Sequence, residues 1–240
     1  MPRFPIDKDS VKDNKAVIFG PDQKHIVKVL RLKTGDDITL FDSNSNEYYG
    51  KIFSIGKTSI EIEIYKREKV VRESPLNITL LQGLAKGDKM DYIVEKATEL
   101  GVSSIIPVIT ERVQFHSRDR HKRWEKIAIE ASKQCGRTKP TVIENTLDLK
   151  SALLSSDNDS LRIILHVDGE LSIKSHIKNT LQTPLNIILF IGPEGGFTDN
   201  EVLLAKELGF ISLGLGPRVL RTETASVSVL SILQFFYGDL

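Results

Sequence analysis

Ile191-Gly192-Pro193-Glu194-Gly195-Gly196-Phe197-Thr198 ends an apolar run and turns it into a glycine-rich bend that leads toward a helix signal. Downstream, Leu213-Gly214-Leu215-Gly216-Pro217-Arg218-Val219-Leu220-Arg221-Thr222-Glu223-Thr224-Ala225 repeats the plan. Each segment reads as a hydrophobic strand, a loop containing glycine and proline, and the start of a helix. Glycines at such bends let backbone amides come close to a ligand, because no side chain intervenes. Two bends in successive strand–loop–helix units can form one pocket at the carboxyl edge of a parallel sheet, where ligands collect in open α/β sheets. Glu194 is an acid set between glycines at that edge. Arg218 and Arg221 flank the second bend close to a helix N-terminus, where anions are favoured. Taken singly, the first bend is equally a structural turn, and surface charge is the competing reading of the arginines. The pairing makes them a candidate site.

The surrounding pattern supports that placement. From Leu76 onward, strands alternate with helices: Leu76–Leu81 and Ser104–Ile109 read as strands, and Leu161–Val167 and Leu185–Ile191 as strands buried on both faces. Asp88 is positioned to cap a helix carrying Met90, Ile93, Val94, Ala97 and Leu100 at helical spacing, with Gly101 as its stop. Arg120–Gln134 predicts a helix with Trp124, Ile127, Ala128 and Ala131 inward. Thr198 with Glu201 fits a capping box for a helix ending at Gly209. Phe210–Leu215 and Glu223–Tyr237 read as the last strand and last helix. Such alternation predicts a parallel sheet covered by helices on both sides.

The first seventy or so residues read differently. Asp37–Phe41, Tyr48–Ile55 and Ser59–Tyr65 are predicted strands joined by polar turns, and the last alternates apolar and acidic residues. Hairpins so closely spaced suggest a small antiparallel barrel. The charged run from Lys66 to Lys69, continuing to Ser74-Pro75, reads as a linker. Residues 1–72 and 73–240 are thus expected to be two domains.

The 240 residues, 40% hydrophobic and 27% charged, describe an ordinary soluble globular chain with enough length for a sizeable core. No apolar run approaches the roughly 18 residues of a membrane span, and the N-terminus lacks a secretory signal. The single Cys135 suits a reducing compartment, so the expected location is cytoplasmic, with no membrane partner. It is read as a packed thiol at a helix end rather than a nucleophile. His116 and His121 would fall on different helix faces, and no other ligand spacing suggests a metal. The net charge of +1 says nothing about nucleic acid, but its distribution does. Arg112, Arg118, Arg120, Lys122, Arg123, Lys126, Lys133, Arg137 and Lys139 form one basic cluster, and Lys24, His25, Lys28, Arg31 and Lys33 another. Each alone is equally a solvated face. Two in a chain with a ligand pocket point toward RNA. Neither G-x-G-x-x-G nor G-x-x-x-x-G-K-[ST] is present, so the usual nucleotide-fold readings lack their anchor.

Gly192–Phe197 with Leu213–Ala225 resembles the paired signature of the SPOUT superfamily of RNA methyltransferases, and most nearly the RsmE family of 16S rRNA uridine-N3 methyltransferases. Lys86–Met90, Glu95–Val102, Glu111-Arg112, Trp124–Ala128, Gln134–Arg137, His25–Arg31 and Arg72–Leu76 fit the same family. The resemblance implies a PUA-like RNA-binding β-barrel followed by an α/β methyltransferase domain with a C-terminal trefoil knot. No reading of periodicity produces a knot, since connections ordinarily do not thread. It further implies a homodimer, 16S rRNA in the small ribosomal subunit as partner, and S-adenosyl-L-methionine as cofactor. By position, the cofactor loops fall on Leu165 and His166, on Ile191, Gly192, Pro193, Glu194, Gly195 and Gly196, and on Leu213, Gly214, Leu215, Gly216, Val219 and Leu220. For chemistry, Arg221 is the expected stabiliser of an anionic uracil. Glu194 is the expected proton acceptor if burial raises its pKa, and a loop-orienting group otherwise. RNA contacts are predicted from His25, Lys28 and Arg31 in the barrel, and from Lys86, Arg112, Arg118 and Arg137 in the second domain. The competing readings are a non-catalytic ribosome-associated RNA-binding protein and a SPOUT methyltransferase acting on another rRNA or tRNA nucleotide.

Overall fold

A computed structural model of the chain describes residues 1–113, 120–155, 159–179 and 184–240. It divides into two compact units: Met1–Glu73 with Ser132–Lys139, and Ser74–Ala131 with Pro140–Leu240.

The first unit contains β1 (Arg3–Pro5), β2 (Val11–Lys12), β3 (Lys15–Phe19), α1 (Gly20–Lys24), a π-helical turn (His25–Val29), β4 (Asp37–Phe41), β5 (Asn46–Ile55) and β6 (Ser59–Lys69). Its six strands are ordered β1-β4-β5-β6-β3-β2. Ile60, Ile62 and Ile64 face the core while Glu61 and Glu63 face water, which is the period-2 alternation expected of a half-wet strand. Asp42 closes the β4–β5 turn. Its carboxylate accepts the Asn44 and Asn46 amides at 2.9 and 3.0 Å and the Tyr48 hydroxyl at 2.9 Å.

Two expectations are corrected here. The sheet is mixed rather than wholly antiparallel, because β1 lies parallel to β4. Lys66–Lys69 is no linker but the end of β6, paired with Tyr49 back to Asn46 on β5. It tolerates its charges because β3 stops pairing at Glu63, which leaves this end of β6 open to solvent.

The second unit contains β7 (Asn77–Gly83), α2 (Lys89–Glu99), β8 (Ser104–Ile109), α3 (His121–Cys135, whose last residues group with the first unit), β9 (Val142–Ile143), β10 (Leu147–Asp148), α4 (Leu149–Leu154), β11 (Leu161–Leu165), β12 (Leu171–Ser172), α5 (Ile173–Asn179), β13 (Asn186–Ile191), α6 (Asp199–Glu207), β14 (Ile211–Gly214) and α7 (Thr222–Tyr237). Eight strands form one sheet ordered β10-β8-β7-β13-β11-β14-β12, with β9 beside β8. Every pairing in it is parallel. Alternate residues of the central strands feed two separate cores, which is why their sequences are apolar throughout. Ile187, Leu189 and Ile191 join Met90, Trp124 and Val229 on one side. Ile188 and Phe190 join Ala152, Val202 and Ala205 on the other.

Helix starts follow their signals unevenly. Thr198 and Glu201 form the expected capping box at α6. Asp88 occupies the cap position of α2 but its side chain makes no cap hydrogen bond, because its backbone is already helical. The strand order carries the functional consequence. β13 inserts between β7 and β11, so the carboxyl ends of β11, β13 and β14 open side by side.

Candidate active site

Those three strand ends surround a cavity of about 800 Å3. Its walls are Leu165–Asp168, Ile191–Phe197, Leu215-Gly216 and Arg218–Thr222, with Lys89, Arg112, Asp199 and Ala225. The two glycine bends therefore meet in one pocket. Gly196 and Gly216 adopt φ of +68° and +124°, conformations that side chains rarely permit, and nothing lies within 4 Å of where a Cβ would stand. Of the residues singled out in sequence, Leu165, His166, Ile191–Gly196, Leu215, Gly216, Val219, Leu220 and Arg221 line this cavity. Leu213 and Gly214 do not. They are buried in β14, and Gly169 packs so tightly behind them that a Cβ there would fall 2.3 Å from the Gly214 nitrogen.

The first bend is braced from several directions. Glu194 Oε1 accepts the Lys86 amide at 3.0 Å and pairs with Lys89 Nζ at 2.9 Å. Burial pushes the Glu194 carboxyl upward, but Lys89, the residue's own amide and the Lys86 amide outweigh it and hold the pKa below the ordinary range. A depressed pKa is the opposite of what a proton acceptor needs, so the loop-orienting alternative fits this geometry. Arg112 donates to the Gly195 carbonyl at 3.1 Å. Glu201, only 5% exposed, accepts the Glu111 and Thr198 amides, each at 2.8 Å, and ties the bend to the segment after β8. Phe197 packs edge-on against Phe190 with ring centroids 4.6 Å apart.

The second bend is held at α7. Arg221 occupies the helix N-cap with extended backbone, and its side chain is exposed. Among the described residues, neither Arg218 nor Arg221 forms an ion pair, so both present free cations on the pocket rim beside the positive end of α7. Behind them, Thr222 Oγ1 donates to the Gly192 carbonyl at 2.7 Å, and buried Gln82 and Ser226 complete a hydrogen-bonded group. Gln82, Lys89 and Gly169 escaped sequence reasoning. The one available signal was a glutamine interrupting the apolar strand Leu80-Leu81-Gln82-Gly83.

The predicted RNA contacts are dispersed. His25 and Lys28 lie in the π-helical turn of the first unit, with His25 stacked edge-on against Phe4, and Arg31 follows at φ +54° with its side chain exposed. Lys86 is exposed near the pocket mouth, and Arg112 lines it. Arg118, like His116, lies outside the described residues. Arg137 is corrected. It is 6% exposed, with Nε and a terminal nitrogen each 2.9 Å from the Glu73 carboxylate, so it braces the first unit instead of offering charge to solvent. Cys135 ends α3 with Sγ 3.8 Å from the Ser132 carbonyl.

Comparison with known proteins agrees with this architecture. Residues 72–234 match the family model of the RNA methyltransferase domain, and residues 20–65 match that of the RNA methyltransferase PUA domain. The chain is 34% identical to the ribosomal RNA small subunit methyltransferase E of Buchnera aphidicola, covering 100% of this chain and 95% of that one. It is 31% identical to the Bacillus subtilis protein of the same name, over 91% and 89% of the two chains. A ribosomal RNA small subunit methyltransferase E from Neisseria gonorrhoeae, solved bound to S-adenosyl methionine, superposes with a TM-score of 0.90 at 33% identity, over 100% and 99% of the chains. A putative methyltransferase from Legionella pneumophila, also solved with that cofactor, gives 0.89 at 35% identity, over 99% and 98%. With its glycine bends joined in one cleft and its sequence aligned end to end with these relatives, the chain belongs to the ribosomal RNA small subunit methyltransferase E family of RNA methyltransferases.

Proposed function

We propose that this protein transfers a methyl group from S-adenosyl-L-methionine to N3 of a uridine in 16S rRNA, acting on the small ribosomal subunit. One observation carries the reading: two glycine bends from successive strand–loop–helix units line a single cavity at the carboxyl edge of a parallel sheet. Its volume of about 800 Å3 falls within the usual span of small-molecule sites.

The residues fit the donor. Leu165, Ile191, Leu215, Leu220 and Ala225 offer apolar surface to an adenine ring, while Gly196 and Gly216, with no atom within 4 Å of where a Cβ would stand, let the donor come close to their backbones. When bound, the donor supplies an electrophilic methyl group on a sulfonium. The chain must then make the acceptor nucleophilic, because uracil N3 carries a proton at neutral pH. Arg221, exposed at the N-cap of α7, adds its charge to the helix dipole and stabilises the uracil anion. That stabilisation lowers the acidity barrier at N3, so the proton leaves to solvent. Glu194 stays ionised and holds the first bend, and the bend in turn holds the donor against the base.

His25, Lys28 and Arg31 in the first unit, and Lys86, Arg112 and Arg118 in the second, contact phosphates. We assign the PUA-like domain to residues 1–72 and the methyltransferase domain to 73–240. We assign the trefoil knot implied by the resemblance to the C-terminal part of the methyltransferase domain. Phe235 and Phe236 on α7 are 67% and 55% exposed, which supports a homodimer formed through that helix.

The deciding experiment incubates the purified protein with labelled donor and small ribosomal subunits lacking the modification, then maps the labelled nucleoside by mass spectrometry. Label on a single 3-methyluridine is expected. Label on a ribose or another base assigns a different acceptor, and donor binding without transfer points to a non-catalytic RNA-binding protein.

A further inference from the structure

Gln82 is fully buried near the carboxyl end of β7, directly after Leu80 and Leu81. Its Nε2 donates to the Gly83 carbonyl at 3.0 Å and to Thr222 Oγ1 at 3.1 Å, with the Gly192 carbonyl farther off at 3.5 Å, and its Oε1 shares the Ser226 hydroxyl, at 2.9 Å, with the Thr222 carbonyl at 2.8 Å. Thr222 Oγ1 then donates to the Gly192 carbonyl at 2.7 Å. Each donor in this chain meets an acceptor, and Thr222 and Ser226 are 5% and 1% exposed. A buried amide is tolerated only when its groups are paired, and the pairing here makes a connection that leucine could not make.

The task is visible at the next peptide. Gly192 precedes Pro193, which has no N–H, so the Gly192–Pro193 peptide can be anchored by hydrogen bonding only through the carbonyl that Thr222 holds. The end of β7 closes on the same point. A Cβ on Gly83 would lie 2.5 Å from Pro193 Cδ. Thr222 directly follows Arg221, and Gly192 opens the bend that carries Glu194. One buried hydrogen-bond chain therefore joins the two halves of the cleft.

We infer that Gln82 and Thr222 are positioning residues for the methyl transfer, fixing the first glycine bend and the first turn of α7 at one separation so that Arg221 meets the base held against the donor. This rests on the donor-cleft reading proposed above. Gln82 has no exposed surface with which to touch either substrate, so it acts through Thr222 and through its own longer contact with the Gly192 carbonyl at 3.5 Å.

Three variants test the assignment: Thr222→Val, Thr222→Ser and Gln82→Met. Each is assayed for donor dissociation constant, for hydrogen exchange of the Glu194–Gly196 amides in the free protein, and for single-turnover rate at saturating donor and RNA. Loss of one buried bond predicts that Thr222→Val speeds that exchange and slows the saturated step about tenfold. Thr222→Ser, which keeps the hydroxyl, is expected within about threefold of wild type on the same scale. Gln82→Met moves both readouts in the same direction, and the Gln82→Met/Thr222→Val double variant is slower than Thr222→Val by less than the factor Gln82→Met shows alone, because both residues anchor the same Gly192 carbonyl. A folded Thr222→Val protein with wild-type rate and exchange overturns the inference, as does a serine variant as slow as the valine one. If Thr222→Val does not fold, Gln82→Met decides on the same two readouts, with wild-type values overturning. A wild-type protein that neither binds donor nor methylates RNA overturns the donor-cleft reading and this inference with it. Indifferent variants of a working enzyme overturn only the inference.

Discussion

Lys89 Nζ lies 2.9 Å from Glu194 Oε1, so the first residue of α2 is tied to the first glycine bend at the pocket wall. Because the folded-state pKa of Glu194 is depressed, the pairing is complete above the ordinary glutamate range and is lost as pH falls through the lowered value. Donor affinity is therefore expected to stay level from pH 8 to pH 5 and to fall only in more acid solution. Glu194→Gln should bind donor several-fold more weakly at pH 7 and lack the acid limb. Calorimetric titrations across pH check both; a base role for Glu194 would instead give a rate that rises through neutral pH.

Arg221 presents an unpaired guanidinium at the N-terminus of α7, and the chemistry assigned to it is charge stabilisation. Arg221→Ala should lower the single-turnover rate by roughly 10²–10³-fold, the scale of one lost anion-stabilising group, with donor affinity changed far less. Rapid-quench measurement of methyl incorporation separates the two quantities. A near-normal rate removes Arg221 from the mechanism.

Gly169 sits where a methyl group cannot, 2.3 Å from the Gly214 nitrogen in the Cβ direction. Gly169→Ala must displace the loop after β11 or the end of β14, at a cost of about 3 kcal/mol. Thermal unfolding followed by circular dichroism should show the lowered midpoint, and donor binding should weaken, since His166 and Leu215 flank the displaced backbone.

Asp91 is the structural counterpart: it lies on α2, two residues after Lys89, but is not among the residues that line the cleft. It accepts the Trp124 indole N–H at 3.1 Å and the Arg123 Nε at 2.8 Å. Asp91→Ala leaves the buried indole nitrogen unpaired and should lower stability by roughly 1–3 kcal/mol. A shifted urea midpoint with unchanged donor affinity per folded molecule is the expected pair of results.

The two glycine bends, the buried strands and the Thr198–Glu201 cap are legible in sequence because each is written in neighbouring residues. Glycine, proline and capping side chains act on the backbone within a few positions of themselves. What escaped depends on partners distant along the chain. Gln82 and Thr222 mean little until β7 and α7 are brought together. Arg137 reads as one more surface cation until Glu73 is seen to bury it. The Lys66–Lys69 run looks like a linker because nothing local reveals that β5 extends far enough to pair with it. The pocket was therefore legible while the braces that shape it were not. The parallel attachment of β1 and the slot taken by β13 are likewise properties of strand order, which hydropathy does not encode.

The late arrival of β13 in the chain has a consequence for synthesis. Two of the three strands that wall the cleft, and the helix that closes it, are contributed by residues from Asn186 onward, so a nascent polypeptide has no ligand site until those residues have left the ribosome. An incomplete translation product thus has no means of consuming the methyl donor, and whatever RNA affinity its early residues possess is uncoupled from chemistry.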